Sequence, residues 1–213
     1  MSSECSSVHR LANELERHKF PFEASNIPLN GIYVLFQKGE YGHQKERIVR
    51  IGTHTGESRL RLRLEEHFLN ENKDRSIFRK NIGRALLSQH NDPFLKYWER
   101  NLVTKKAKDK YSSLIDFDYQ KNIENQVSQY IQGNFSFATF EVKNKEERLD
   151  IESKLIATIS RCDECKPSND WLGNSSPKEK IVKSGLWQVN ELYKTPFDAT
   201  SIGKLERRIA HSK

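Results

Sequence analysis

Long apolar runs are missing from this chain of 213 residues. No stretch approaches the roughly 20 apolar residues that a membrane-spanning helix requires, so no membrane partner is expected. Cysteine is scarce and odd in number: Cys5, Cys162 and Cys165. That does not read as the disulfide framework of a secreted protein. The opening residues, Met-Ser-Ser-Glu-Cys-Ser-Ser, lack the apolar core of a secretory signal. The expected setting is a reducing cytoplasm. Cys162 and Cys165 have C-x-x-C spacing, but no second such pair and no His pair follows, and His211 is distant in sequence. Zinc takes four ligands, so the spacing alone predicts no metal site there, and nothing supports a redox role.

Charge of one sign is in excess. There are 36 Lys+Arg against 29 Asp+Glu, a net charge of +7. This favours a polyanionic partner, most simply nucleic acid, though many proteins are merely basic. The length allows one large domain, or a small one with an extension.

The most informative stretch is 31–68. Gly31-Ile32-Tyr33-Val34-Leu35-Phe36 and Arg47-Ile48-Val49-Arg50-Ile51-Gly52 are β-branched and aromatic runs, read as a hairpin. The polar segment Lys38 to Glu46 is expected as its loop, with Lys45 and Arg47 either touching nucleic acid or simply solvated. Leu60, Leu64 and Phe68 recur at helical spacing, with Ser58 as the expected N-cap and Arg61 placed to pair with Glu65. Arg63 and His67 lie one turn apart beside that stripe, and Arg59 shares a face with Arg63.

The flanks are read the same way. An amphipathic helix is expected over 7–20, and Pro21 and Pro28 then lead the chain, extended, to Gly31. A helix over 77–87 is expected to bury Ile77, Phe78, Ile82, Ala85 and Leu86, and its other side carries Arg79, Lys80 and Arg84. Residues 90–117, with the Lys105–Lys110 run, read as an insertion and mainly a loop. A helix over 118–132, an alternating strand over 135–142 and a helix over 146–159 follow. Glu152 falls among Ile151, Leu155 and Ile156, where a carboxylate must be paired, protonated or bound to a cation. The bland alternative pairs it with Arg148 on the same helix. Trp171 and Trp187 are expected to anchor an irregular tail, and residues past Pro196 a peripheral helix.

The order Gly31-Ile32-Tyr33, Ile51-Gly52, Arg63 with His67, then Glu152, resembles the GIY-YIG nuclease family. Arg50 stands where the family usually has its second Tyr. The stretches Arg50-Ile51-Gly52-Thr53-His54 and Ser76-Ile77-Phe78-Arg79 are similar to a bacterial subgroup, which suggests a restriction or mobile-element type. The resemblance implies a metal-dependent DNA endonuclease acting on double-stranded DNA. Glu152 would hold one Mg²⁺ or Mn²⁺, Arg63 would grip the scissile phosphate, Tyr33 would serve as general base and His67 would orient it. Arg50, His54 and Asn174 (with Asn169) become candidates for supporting or substitute roles. Arg59, Ser76, Arg79, Lys80 and Arg84 become candidates for nucleic-acid contact. Two cuts in a duplex call for a homodimer or for sequential nicking. The alternative reading is a catalytically silent binding module of the same fold, and a structural adaptor is blander still.

The expected fold class is α/β, in the α+β sense: a small three-stranded, mostly antiparallel sheet flanked by helices, with a helical insertion and an irregular C-terminal extension. The expected organisation is an N-terminal helical arm over 1–28, a core over 29–160 with its insertion at 90–117, and an extension over 161–213 packed on the core.

Overall fold

The computed structural model describes residues 2–210, so His211 lies outside the described residues. The chain runs α1 (Ser2–Asn13), β1 (Arg17–Lys19), β2 (Gly31–Gly42), β3 (Lys45–Gly52), α2 (Leu60–Phe68), α3 (Ile77–Gln89), α4 (Leu95–Trp98) and α5 (Lys105–Tyr111). It continues with α6 (Phe117–Asn134), β4 (Phe135–Glu141), α7 (Lys145–Ser160), α8 (Glu179–Ser184) and α9 (Ala199–Ala210). The α+β class is as expected. The sheet, however, has four antiparallel strands in the order β1-β4-β2-β3 rather than three. The extra strand is Arg17–Lys19, which pairs with β4 in the stretch where the sequence suggested continued helix. Its own residues, Arg17, His18 and Lys19, offered no apolar alternation from which to read it.

Strand β2 is central, and its apolar run covers both faces of the sheet. Ile32, Val34 and Phe36 pack with Val8, Leu11 and Leu15 of α1, Ile151, Leu155 and Ile159 of α7, and Ile202, Leu205 and Ile209 of α9. Tyr33 and Leu35 point the other way, onto Leu60, Leu64 and Phe68 of α2, Phe78 and Ile82 of α3, and Val127 and Ile131 of α6. Helices therefore cover both faces, and the periodicities that predicted them are the ones that bury.

Several local expectations are corrected. The β2–β3 connection is not a loop over 38–46 but a two-residue turn, with His43 and Gln44 both at positive φ. Arg47 is buried, and its Nε and Nη2 donate to Glu40 at 3.0 and 2.6 Å, so it contacts no solvent. Ser58 does not cap α2: it sits at φ 55, and Arg59 occupies the N-cap without a side-chain bond. Arg61 bonds the Ile27 and Ser25 carbonyls rather than Glu65. The Lys105–Lys110 run is a short helix, capped by the Thr104 side chain. Among the described residues, no helix is long and apolar enough to cross a membrane.

Strand β3 lies at the sheet edge, and the C-terminal segment covers it. Trp187 N–H donates to Val49 O at 2.8 Å, and the Gln188 side chain accepts from Ile51 N–H at 2.8 Å. Satisfying an edge in this way removes a pairing template. Trp171 and Trp187 both donate their indole N–H to Gln37 Oε1, each at 3.0 Å, which fixes the tail to the central strand.

Candidate active site

The hairpin and the two helices that follow it build one cluster. Tyr33 pairs in register with Gly52, and its ring lies directly over that glycine. A Cβ at position 52 would sit 2.2 Å from Tyr33 Oη. The glycine is therefore a requirement of the tyrosine's placement and not of a turn. Gly52→Ala is expected to lower stability by about 1–3 kcal/mol, as overpacking does, and to move the phenol; a denaturant midpoint equal to wild type would contradict this.

Between Phe36↔Ile48 and Leu35↔Arg50 the register skips Val49. This β-bulge turns Arg50 onto the same side as Tyr33. Arg50 Nε lies 3.4 Å from Tyr33 Oη, another of its nitrogens donates to Trp187 O, and its guanidinium lies 5.4 Å from the Phe78 ring. Tyr33 Oη also meets His67 Nε2 at 2.8 Å, and His67 Nδ1 meets Ser76 Oγ at 2.8 Å. Ser76 is the N-cap of α3, accepting from Arg79 N–H at 3.2 Å. Its role is thus to hold His67 from the start of a rigid helix. Tyr33, His67 and Ser76 are all buried, with Tyr33 only 1% exposed.

Burial, and then the nearby guanidinium groups of Arg63, Arg50 and Arg79, hold the His67 imidazole well below its ordinary value, so it is neutral near pH 7. His54 is lowered as well, mainly by burial. The unfolded chain binds protons at these two positions near pH 6.5, and the folded chain does not. Stability is therefore full above about pH 6.5 and falls on acidification, with a slope of up to about 1.4 kcal/mol per pH unit for each group. Urea midpoints measured from pH 7.5 down to 5 test this, and a flat profile would contradict it.

Glu152, in the middle of α7, reaches the chain just past the end of β3. Its Oε1 accepts from Thr53 N–H at 3.1 Å. Among the described residues, Oε2 has no hydrogen-bond partner. Arg148 is not its partner: that guanidinium bonds the Val142 and Lys143 carbonyls. Burial pushes the Glu152 carboxyl up, and Arg50, the Thr53 N–H and Arg63 oppose the shift, while Glu191 adds to it. A half-buried carboxylate with one free oxygen and a net penalty on its charge suits a bound cation. A single carboxylate fits a hard, hydrated ion such as Mg²⁺ or Mn²⁺.

Thr53 also lines a cleft of about 310 Å³, together with His54, Thr55, Gly56, Arg59, Leu62, Arg63 and Glu66. Arg63 Nη1 bonds Glu66 and the Arg75 carbonyl, both at 3.0 Å. Its Nε and Nη2 have no hydrogen-bond partner among the described residues, and Arg59 beside it is exposed. His54 is occupied: Nε2 accepts from Gly31 N–H at 3.3 Å and Nδ1 donates to Gly56 O. It staples the strand to the cleft loop and has no ring nitrogen left to replace a tyrosine.

Other candidates are placed elsewhere. Arg79 is fully buried and bonds Glu124 (Nη2 to Oε2, 2.9 Å), Ser128 and the His67 carbonyl. Lys80 bonds Asp74 and Glu99 O, and Arg84 bonds Glu99 and Asn81. These three are tied to internal partners and do not form a phosphate-facing stripe; helical spacing gave their common side but not the α6 and α4 residues that cover it. Asn174 bonds the Ser168 and Asn169 carbonyls in its own loop.

Comparison with known families agrees with this arrangement. The model of the GIY-YIG domain matches residues 6–213. No curated protein and no solved structure matches the chain. With nearly the whole chain covered, and its Gly31-Ile32-Tyr33 and Ile51-Gly52 elements on adjacent strands, the chain belongs to the GIY-YIG nuclease family.

Proposed function

We propose that this protein is a divalent-cation-dependent endonuclease that hydrolyses phosphodiester bonds in double-stranded DNA. The observation that carries the reading is Glu152, bonded to the N–H of Thr53, which itself lines the cleft together with Arg59 and Arg63. A divalent cation on Glu152 would neutralise charge on the scissile phosphate and on the leaving oxygen. Arg63 supplies its two unengaged donors to a phosphate oxygen, where a planar fork binds well. Arg59 adds positive charge along the approach and positions the backbone without reading sequence.

The Tyr33 hydroxyl is engaged by both His67 and Arg50. It donates to His67 Nε2 when His67 Nδ1 donates to Ser76, and Arg50 Nε donates to the same phenol oxygen. Arg50 occupies the second-tyrosine position, bonded to the phenol, and its charge also favours the ionised Glu152 carboxylate. Catalytic contacts in a substrate-free structure are commonly incomplete in this way.

One observation favours a second reading, a silent DNA-binding module. Tyr33 is 1% exposed, and neither Tyr33 nor Arg50 is among the residues that line the cleft. Incubation with supercoiled plasmid separates the two. The nuclease gives nicked or linear DNA with Mg²⁺ or Mn²⁺, stops in chelator and resumes when excess Mg²⁺ is added. The module leaves the plasmid intact and shifts it on a gel equally in chelator, with binding that weakens as salt rises.

A further inference from the structure

A second metal-binding chemistry on this chain lies beyond the C-terminal end of α7, on the sheet face opposite Tyr33. We propose that Cys5, His43, Cys162 and Cys165 form a closed, structural zinc site that ties α1, the β2–β3 turn and the segment after α7 together. The four ligand atoms all lie within 4.8 Å of one another. Cys5 Sγ is 3.6 Å from Cys165 Sγ, and Cys162 Sγ is 3.3 Å from His43 Nε2. With Zn–S near 2.3 Å and Zn–N near 2.0 Å, a tetrahedron has edges of about 3.5–3.8 Å, so only a small contraction of the longest separation is needed.

The surroundings fit a ligand set better than a chance cluster. His43 stands at φ 53 in the two-residue β2–β3 turn, and its ring reaches Cys162. Its Nδ1 lies 3.6 Å from the Glu164 carboxylate. A carboxylate on the far nitrogen of a metal-bound His is the usual supporting contact. Gly42 lets the hairpin lie directly on Cys165, since a Cβ there would come within 2.8 Å of the Cys165 Cβ. Cys5 is steadied by His9, whose Nε2 accepts from Ile48 N–H at 3.3 Å and whose Nδ1 bonds the Cys5 carbonyl at 3.0 Å.

Thiolates select zinc over the hard cation argued for Glu152. The cysteines are at most 4% exposed and the His43 side chain 5%, which leaves no open position for substrate. A closed four-ligand set is structural and not catalytic. The ligands are spread over residues 5, 43, 162 and 165, so the sequence shows only half of a zinc motif, the C-x-x-C pair Cys162 and Cys165. Nothing in the spacing pointed to Cys5 and His43 as the other two.

The test uses the full chain, produced under reducing conditions with zinc supplied. Elemental analysis is expected to find about one zinc per chain, and Glu152→Gln is expected to keep it, which separates this site from the nuclease reading. Cys162→Ser, Cys165→Ser and His43→Ala are expected to lose it. Should these variants fail to fold, wild type stripped of metal and refilled with Co²⁺ is expected to show thiolate-to-cobalt charge transfer and the intense visible bands of a tetrahedral site. Its thermal unfolding temperature is expected to rise on metal addition. Wild type with no bound zinc, a Co²⁺ spectrum without thiolate bands, or a Cys5–Cys165 disulfide in the reduced preparation would overturn the proposal.

Discussion

Arg79→Met is expected to destabilise the protein by about 3–5 kcal/mol, the usual cost of removing one partner of a buried ion pair. Arg79 is fully buried, and Glu124 is 4% exposed. The guanidinium bonds the Glu124 carboxylate through Nε at 3.2 Å and Nη2 at 2.9 Å, and reaches Ser128 at 2.8 Å. Its removal leaves Glu124 as a buried charge whose other oxygen serves only Lys73 N–H. The double variant Arg79→Met with Glu124→Leu is expected to recover much of the loss, because no charge is then stranded. Urea unfolding of the single and double variants decides it. A single variant as stable as wild type would mean that Arg79 is dispensable and would return it to consideration as a phosphate contact. Arg79 also holds the His67 carbonyl, so activity is expected to fall with stability.

Glu152→Gln and Arg63→Ala are each expected to lower DNA cleavage by at least about a hundredfold, the scale of losing one transition-state contact, with the fold intact. Neither group belongs to the apolar clusters. Glu152 has one hydrogen bond, from Thr53 N–H, and a glutamine oxygen can still accept it. Because burial penalises the Glu152 charge, the neutral variant is expected to be at least as stable as wild type. Arg63→Ala loses only a half-buried pair with Glu66 and a bond to Arg75 O. Circular dichroism and melting beside the cleavage rates separate folding from chemistry. Near-wild-type rates from either folded variant would remove that residue from the site.

Much of the fold was legible because burial periodicity is local. The stripes Leu60-Leu64-Phe68 and Leu155-Ile159 and the alternation in Phe135–Glu141 each pointed to the face they bury. Tyr33, His67 and Glu152 could be named because their order along the chain is itself a pattern. Several features lay beyond such reading. The strand Arg17–Lys19 exists because β4 offers it an edge, and its own residues carry no β signal. The bulge at Val49 breaks the alternation of β3, so counting forward from Ile48 would place Arg50 on the face opposite Tyr33. The basic side of α3 was visible as charge, but the carboxylates that neutralise it come from Asp74, Glu99 and Glu124, up to 45 residues away. The Cys/His cluster is the extreme case, joining residues 160 positions apart.

The most direct measurement of the central claim is the rate of plasmid nicking as a function of Mn²⁺ concentration, for wild type and for Glu152→Gln at equal protein. The account predicts a saturable, metal-dependent rate for wild type and no metal response for the variant. Saturable cleavage by Glu152→Gln with the same half-saturating Mn²⁺ would contradict it, as would wild-type cleavage that does not depend on added divalent cation.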